Sequence, residues 1–310
     1  MTSHGSGETR DVSVIVVTRD RPEALASCLR SIVPQVTGNS EIIVIAGAES
    51  CCPAELVESV STTCSIRVEY GVEANISKAR NQGLTLATHD TVLFVDDDAT
   101  VHAGWVDAYT DAFTRSPRAC IAGGVVLDAR TDDHSPEFAF GLIHPTGRQL
   151  EVRAAQTDPV ARGYCLSIKG CNFALRRDRS PDPVRFDEFF RFAFDETDLL
   201  LTLLEAGGEV VHVPDAVVDH LHAPGQYRTA SSLQRDWHTE FASHTMFMLK
   251  HTHGFERLHG WGVICGRVCK HTARFVLAVT SGRCAMQDAW HAVREAVLGV
   301  RSAKRSRGSA

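Results

Sequence analysis

Apolar residues come in short unbroken runs in the first hundred positions and at helical spacing toward the end of the chain. Val12–Thr18 (VSVIVVT) is continuous and β-branched, the pattern of a strand buried on both faces. After Pro22, residues Leu25, Cys28, Leu29 and Ile32 recur at three- and four-residue steps and predict a helix that begins at the proline. Glu41–Ala46 (EIIVIA) and Cys64–Tyr70 predict a second and a third strand. Asn75–Thr88 predicts a helix in which Ala79, Gly83 and Ala87 are small enough to lie close on a sheet. Thr91–Val95 (TVLFV) predicts a fourth strand, ending abruptly in Asp96-Asp97-Asp98.

This alternation predicts an α/β fold with a mainly parallel, doubly wound sheet. In open sheets of this kind ligands bind beyond the carboxyl ends of the strands, so the three aspartates stand at the functional edge. Further along, the pattern predicts a helix over Val101–Pro117 and a strand over Ala119–Leu127. Thr131–Pro159 reads as irregular, and Gly163–Leu175 is strand-like again. A helix over Glu196–Ala206 stops at Gly207-Gly208, and Glu209–Val213 is a short strand. Beyond Tyr227 the spacing is helical. Leu233, Trp237 and Phe241 form one stripe; Trp261, Ile264, Val268 and Phe275 form another. The organisation expected is a disordered stretch at 1–11, an α/β domain at 12–226, a helical region at 227–300 and a basic disordered tail at 301–310.

Composition narrows the class only a little. At 310 residues, 44% hydrophobic and 23% charged, the chain is ordinary globular material. A net charge of -6 excludes a nucleic-acid binder of the usual cationic kind. The polar opening, MTSHGSGETR, has no apolar h-region, and no uncharged apolar stretch reaches eighteen residues, so a cytoplasmic location is expected. The ten cysteines show no CxxC pair and no zinc-finger spacing, and free thiols are expected.

The aspartate triplet carries the chemistry. Adjacent carboxylates repel, and burial raises their pKa values, so three at a strand end call for a positive partner. Mn²⁺ or Mg²⁺ takes oxygen ligands and binds through one or two carboxylates plus substrate phosphates, where it neutralises a departing diphosphate. The plain alternative is a solvated acidic turn. Asp195-Glu196-Thr197-Asp198 also reads two ways: a catalytic acidic pair, or carboxylates favoured structurally at a helix N-terminus. His220 and His222 alternate in a strand-like run and so point to one face, where neutral imidazole is a competent metal ligand.

Several segments together resemble the inverting family 2 glycosyltransferases of GT-A fold. They are Ser13–Pro22 (SVIVVTRDRP), Ile76–Asp107 with its Ala-Arg-Asn helix and DxD-like triplet, Gly170–Leu175 (GCNFAL), Phe194–Leu204 (FDETDLLLTLL) and Val210–His222 (VVHVPDAVVDHLH). They follow the family's order from about Val12 to His222. The resemblance implies a GT-A-type, Rossmann-like nucleotide-binding sheet with helices on both faces at 12–226, and a helical C-terminal extension. It implies transfer of a sugar from a nucleotide-sugar donor to an acceptor hydroxyl, with Mn²⁺ or Mg²⁺ as cofactor. Thr18 is then expected to line the nucleoside pocket, Arg80 to reach the base or diphosphate, and Asp96 and Asp97 to face the donor. Asp98 would be a metal ligand with His220 beside it and His222 its rival. Glu196, or else Asp195, would be the base.

The sequence departs from that pattern at three places. The second strand ends Ala46-Gly47-Ala48-Glu49 without the paired acids expected there, Asp20 stands where Asn is usual, and the acidic pair is inverted to Asp195-Glu196. A nucleotidyltransferase is a second reading, opposed by the lack of a glycine in Thr18–Pro22; a non-catalytic nucleotide-sugar-binding protein is a third. At the C-terminal side, Arg267, Lys270 and Arg274 flank the Trp261–Phe275 stripe. That leaves open a helix peripheral to an anionic membrane or a helix packed on the catalytic domain.

Overall fold

The computed structural model describes residues 11–60, 64–130, 136–138, 141–151, 165–223 and 236–308; all but the last residue of the stretch expected to be disordered at 1–11, and Leu233, lie outside them. The first half alternates as expected. Strands β1 (Val12–Thr18), β2 (Glu41–Ala46), β3 (Ser65–Tyr70) and β4 (Thr91–Asp96) are separated by helices α1 (Pro22–Ile32), α2 (Ala54–Val60) and α3 (Ile76–Leu86). Next come β5 (Ala99–Val101), α4 (Trp105–Arg115), β6 (Ala119–Asp128), β7 (Pro136–Phe138), β8 (Gly141–Ile143), β9 (Gln149–Glu151), β10 (Cys165–Leu166) and β11 (Asn172–Arg176). Helix α5 (Asp195–Glu205), β12 (Glu209–His220), α6 (Trp237–His251), α7 (Gly254–Thr280) and α8 (Met286–Gly308) complete the chain.

The main sheet runs β3-β2-β1-β4-β11-β6-β12-β5, with β7 beside β6. β1 to β4 pair in parallel, while β11 enters antiparallel between β4 and β6, so the sheet is mixed. Alternate residues of each parallel strand feed two cores. Val14, Val16, Ile42, Val44 and Leu93 face the side covered by α1 and α4; Ile15, Ile43, Ile45, Val92 and Phe94 face that of α3 and α5. Helices therefore cover both faces, which explains why these strands read as unbroken apolar runs. Gly83 shows how close α3 lies: a Cβ there would come within 2.7 Å of Ile15 Cγ2.

Three expectations are corrected. Within the span read as irregular, β8 and β9 pair in a small second sheet completed by β10 from the strand-like stretch that follows, and β7 joins the main sheet. The strand expected to stop at Val213 runs to His220, interrupted by a register shift between Val213 and Val217. Pro214 has no N–H for the ladder, so a bulge carries the strand past it. Finally, α8 continues through Gly308, so residues 301–308 are helical rather than a disordered tail. Ala303 is fully buried and Lys304 lies over the Trp261 ring, while the arginines take the outer face and complement the helix C-terminus.

The helical region packs back on the α/β domain: Met246, Phe247 and Ala303 join the same core cluster as α3 and α5. Where α6 and α8 meet, a Cβ on Gly299 would come 2.2 Å from the His238 carbonyl oxygen. The stripe on α7 turns inward. Phe275 packs with Trp237 and Phe241, and Ile264 with Met248 and Leu249. Arg267 is held by Glu240 and His244, so this face is not presented to a membrane. No helix among the described residues is long and apolar enough to cross one.

Candidate active site

The sheet order changes direction between β1 and β4, and a cleft of about 850 Å³, its open mouth included, lies at their carboxyl ends. In-register pairing sets Val17 opposite Asp96 and Thr18 opposite Ala46, so Thr18, Gly47 and Asp96 reach one edge and line the cleft. Arg19, Arg21, Glu73, Asn75, Asp98 and Arg191 complete its polar lining.

The three aspartates diverge. Asp97 is wholly buried and turned away from the cleft: Thr18 Oγ1 donates to it at 2.7 Å and Arg21 Nη2 lies at 2.6 Å. Asp97, expected to face the donor, is thus not among the residues that line the cleft. Burial lifts its carboxyl to about 7, against the opposing pull of Arg21 and Thr18. Asp98 accepts from Arg21 Nη1 and the Ala223 amide, both at 2.9 Å, and lies 3.5 Å from His220 Nε2. β12 brings His220 there, with Leu221 N donating to the Asp98 carbonyl at 2.8 Å. One ligand atom each of Asp96, Asp98 and His220 fall within 4.8 Å of one another. His222 stays outside this group; the strand ends at His220, and His222 takes a left-handed φ of 53° with its ring tilted against that of His220, centroids 3.9 Å apart.

That donor set fits a hard divalent cation. Among the described residues, Arg21 pairs with Asp97 and Asp98, and Arg80 with Asp96 and Asp195.

Arg80, expected to reach the donor, is not among the residues that line the cleft. It is buried on α3, bonded to Asp195, to Asp96 at 3.2 Å and to the Gly170 carbonyl at 2.7 Å, with its guanidinium 5.4 Å from the Phe173 ring. Burial opposes its charge, and Asp195 and Asp96 outweigh that, holding its pKa above the usual value. It is thus a strut between the aspartate cluster and the acidic pair. Replacing it with methionine strands buried carboxylates; we expect a loss of about 3–5 kcal/mol in denaturant unfolding.

Two consecutive non-glycine residues, Ala193 (φ 62°) and Phe194 (φ 66°), precede α5 in left-handed conformations, a strain that surrounding packing must hold. Phe194 stacks flat on His244 at 5.0 Å and packs on Phe247, so α6 fixes the turn that aims the acidic pair. Asp195 is spent on Arg80, and Asp198 on Lys250 and His251 of α6 at 2.8 and 2.9 Å. The residue before α5 supplies no side-chain cap, so docking of α6 accounts for Asp198 better than capping does. Glu196 makes no ion pair among the described residues. Burial, then the Asp195 charge, push its carboxyl up to about 8, with Arg80 opposing.

Sequence reasoning missed Arg21 and Arg19. Arg21 stands at the start of α1 and holds two of the aspartates; the Arg-Asp-Arg-Pro run after β1 was the available signal. Arg19 occupies the place left by the missing acids, donating to the Val72 carbonyl, and a Cβ on Gly47 would come 2.8 Å from its guanidinium carbon. Glu49, the carboxylate nearest that strand end, is not among the cleft residues.

Comparison with known proteins agrees with this architecture. A family model described as "Glycosyltransferase like family 2" matches residues 9–238. The pre-mycofactocin glycosyltransferase of Mycobacterium tuberculosis is 28% identical over 214 residues, 69% of this chain; the match spans only 43% of that relative's length. The succinoglycan biosynthesis protein ExoM of Rhizobium meliloti is 26% identical over 267 residues, covering 83% of this chain and 80% of that one. Among solved structures, S. aureus TarS 1-349 superposes with a TM-score of 0.58 at 15% identity, over 94% of this chain and 81% of that one, and so shares the fold. Its matched region takes in the cleft, the aspartate cluster and the acidic pair alike: this chain belongs to the glycosyltransferase-like family 2.

Proposed function

We propose that this chain is a cation-dependent, inverting glycosyltransferase that moves a sugar from a nucleoside-diphosphate sugar to an acceptor hydroxyl. One observation carries the proposal: Arg80 bonds both Asp96 and Asp195, which ties a cation-binding cluster and a raised-pKa carboxyl into one rigid unit beside a cleft. Family membership and the naming of its relatives as glycosyltransferases support the reaction class. Binding of UDP-GlcNAc by TarS, whose complex superposes with a TM-score of 0.54, supports the donor class.

In this reading the nucleoside lies along Thr18, Gly47 and Val72, and the diphosphate points to Asp96, Asp98 and His220. Those three would hold Mn²⁺ or Mg²⁺, which would supply Lewis-acid stabilisation of the leaving diphosphate. Glu196 accepts the proton of the acceptor hydroxyl as that oxygen attacks the anomeric carbon from the face opposite the diphosphate. Asp195 keeps Arg80 charged and in place, and the strained turn at Ala193-Phe194 fixes where Glu196 points.

The test is a screen of UDP-, GDP-, dTDP- and CDP-sugars with and without Mn²⁺, reading melting temperature and nucleoside-diphosphate release together. One donor should raise the melting temperature by several degrees and be turned over only with the cation, with chelation abolishing release. Stabilisation without any turnover would instead favour a non-catalytic binding protein. No response to any donor would sink the proposal.

A further inference from the structure

We propose that the α7–α8 hairpin seats this chain on an anionic membrane surface, lying on the lipid rather than crossing it. The inference rests on the outward face of α7, opposite the stripe that packs into the protein, and is independent of the catalytic reading.

Eight large hydrophobic residues are exposed among the described residues, and six of them lie on these two helices. Phe255, Leu258, Val276 and Leu277 share one face of α7, because helical rotation brings positions 255, 258, 262, 266, 273, 276 and 277 onto one side. Gly262 and Gly266 lie between them with nothing within 4 Å of where a Cβ would stand, so the face is continuous and open. Met286 and Trp290 stand one turn apart at the start of α8, next to the turn that ends α7, and Trp290 is 71% exposed. A face on which exposed apolar side chains run from Phe255 to Leu277, about 33 Å along the helix, is more than a soluble monomer leaves to water without use.

Charge selects the occupant. Residues 254–308 hold ten Lys and Arg against three Asp and Glu, a net of +7 in a chain whose total is -6. Lys270 and Arg274 are exposed beside the apolar face, Arg283 is exposed in the turn, and the one acidic residue of α7 is Glu256 near its start. Apolar residues with an interfacial Trp, rimmed by basic side chains, are the chemistry of a helix that lies in an anionic headgroup layer. A second copy of the chain fits worse, since a two-fold contact through this face would set two +7 hairpins against each other.

The test is co-sedimentation of the full chain with vesicles of about 30 mol% phosphatidylglycerol in phosphatidylcholine, against vesicles of phosphatidylcholine alone. Binding is expected to the anionic vesicles, with most of it lost in about 0.5 M salt. Leu277→Ser with Trp290→Ser, and separately Lys270→Glu with Arg274→Glu and Arg283→Glu, should each weaken it by about tenfold or more. Both variants alter exposed side chains, so their melting temperatures should match the wild type. No binding to anionic vesicles, or undiminished binding by the variants, overturns the proposal. So does a stable dimer in light scattering that Trp290→Ser dissolves, which would give the face to a second copy.

Discussion

Replacing Glu196 by glutamine is expected to lower kcat by about 10²–10⁴-fold while leaving donor affinity close to wild type, because only proton removal from the acceptor is lost. The wild-type kcat should rise with pH along an acid limb whose apparent pKa lies near 8. The sign follows from the role: a base acts when deprotonated, and burial beside Asp195 favours the protonated form, so activity grows as pH climbs through that value. In the glutamine variant the limb should disappear along with the rate. Asp195→Asn makes the useful contrast. It removes the partner of buried Arg80, so its loss should show in stability as well as in kcat.

Asp98→Asn is expected to reduce turnover by about a thousandfold or more, the several kcal/mol that a cation contributes to a leaving diphosphate. The carboxylate also receives Arg21 and the Ala223 amide. The asparagine oxygen keeps an acceptor for one of these contacts and retains the shape, so the fold should survive. Excess Mn²⁺ should restore little, since the remaining Asp96 and His220 offer one anionic ligand instead of two. A kinetic assay over a cation titration reads both effects.

The α/β half was legible because its strands are buried on both faces and its helices are amphipathic, so period and hydrophobicity agreed with the final packing. Asp96, Asp98, His220 and Glu196 drew attention for a related reason: costly groups at strand and helix ends stand out, and the family resemblance supplied the roles proposed for them. What could not be read was where each carboxylate points. Asp97 and Asp98 are neighbours in sequence, yet one faces the interior beside Thr18 and the other the cleft, which only the turn into β5 decides. Arg80 looked like a phosphate contact because nothing local reveals Asp195, which folding brings to it across 115 positions. The tail at 301–308 shows the same limit from the other side. Its basic run read as solvated chain, and only the small residues on its inner face, Ala303 above all, mark it as a packed helix.

Titration of the protein with Mn²⁺ in the presence of pyrophosphate, followed by EPR, asks directly whether Asp96, Asp98 and His220 form a cation site. One ion per chain is predicted, bound about tenfold or more weakly by His220→Ala and more weakly still by Asp98→Asn. Equal binding by all three proteins, or no bound ion in the wild type, would contradict the account.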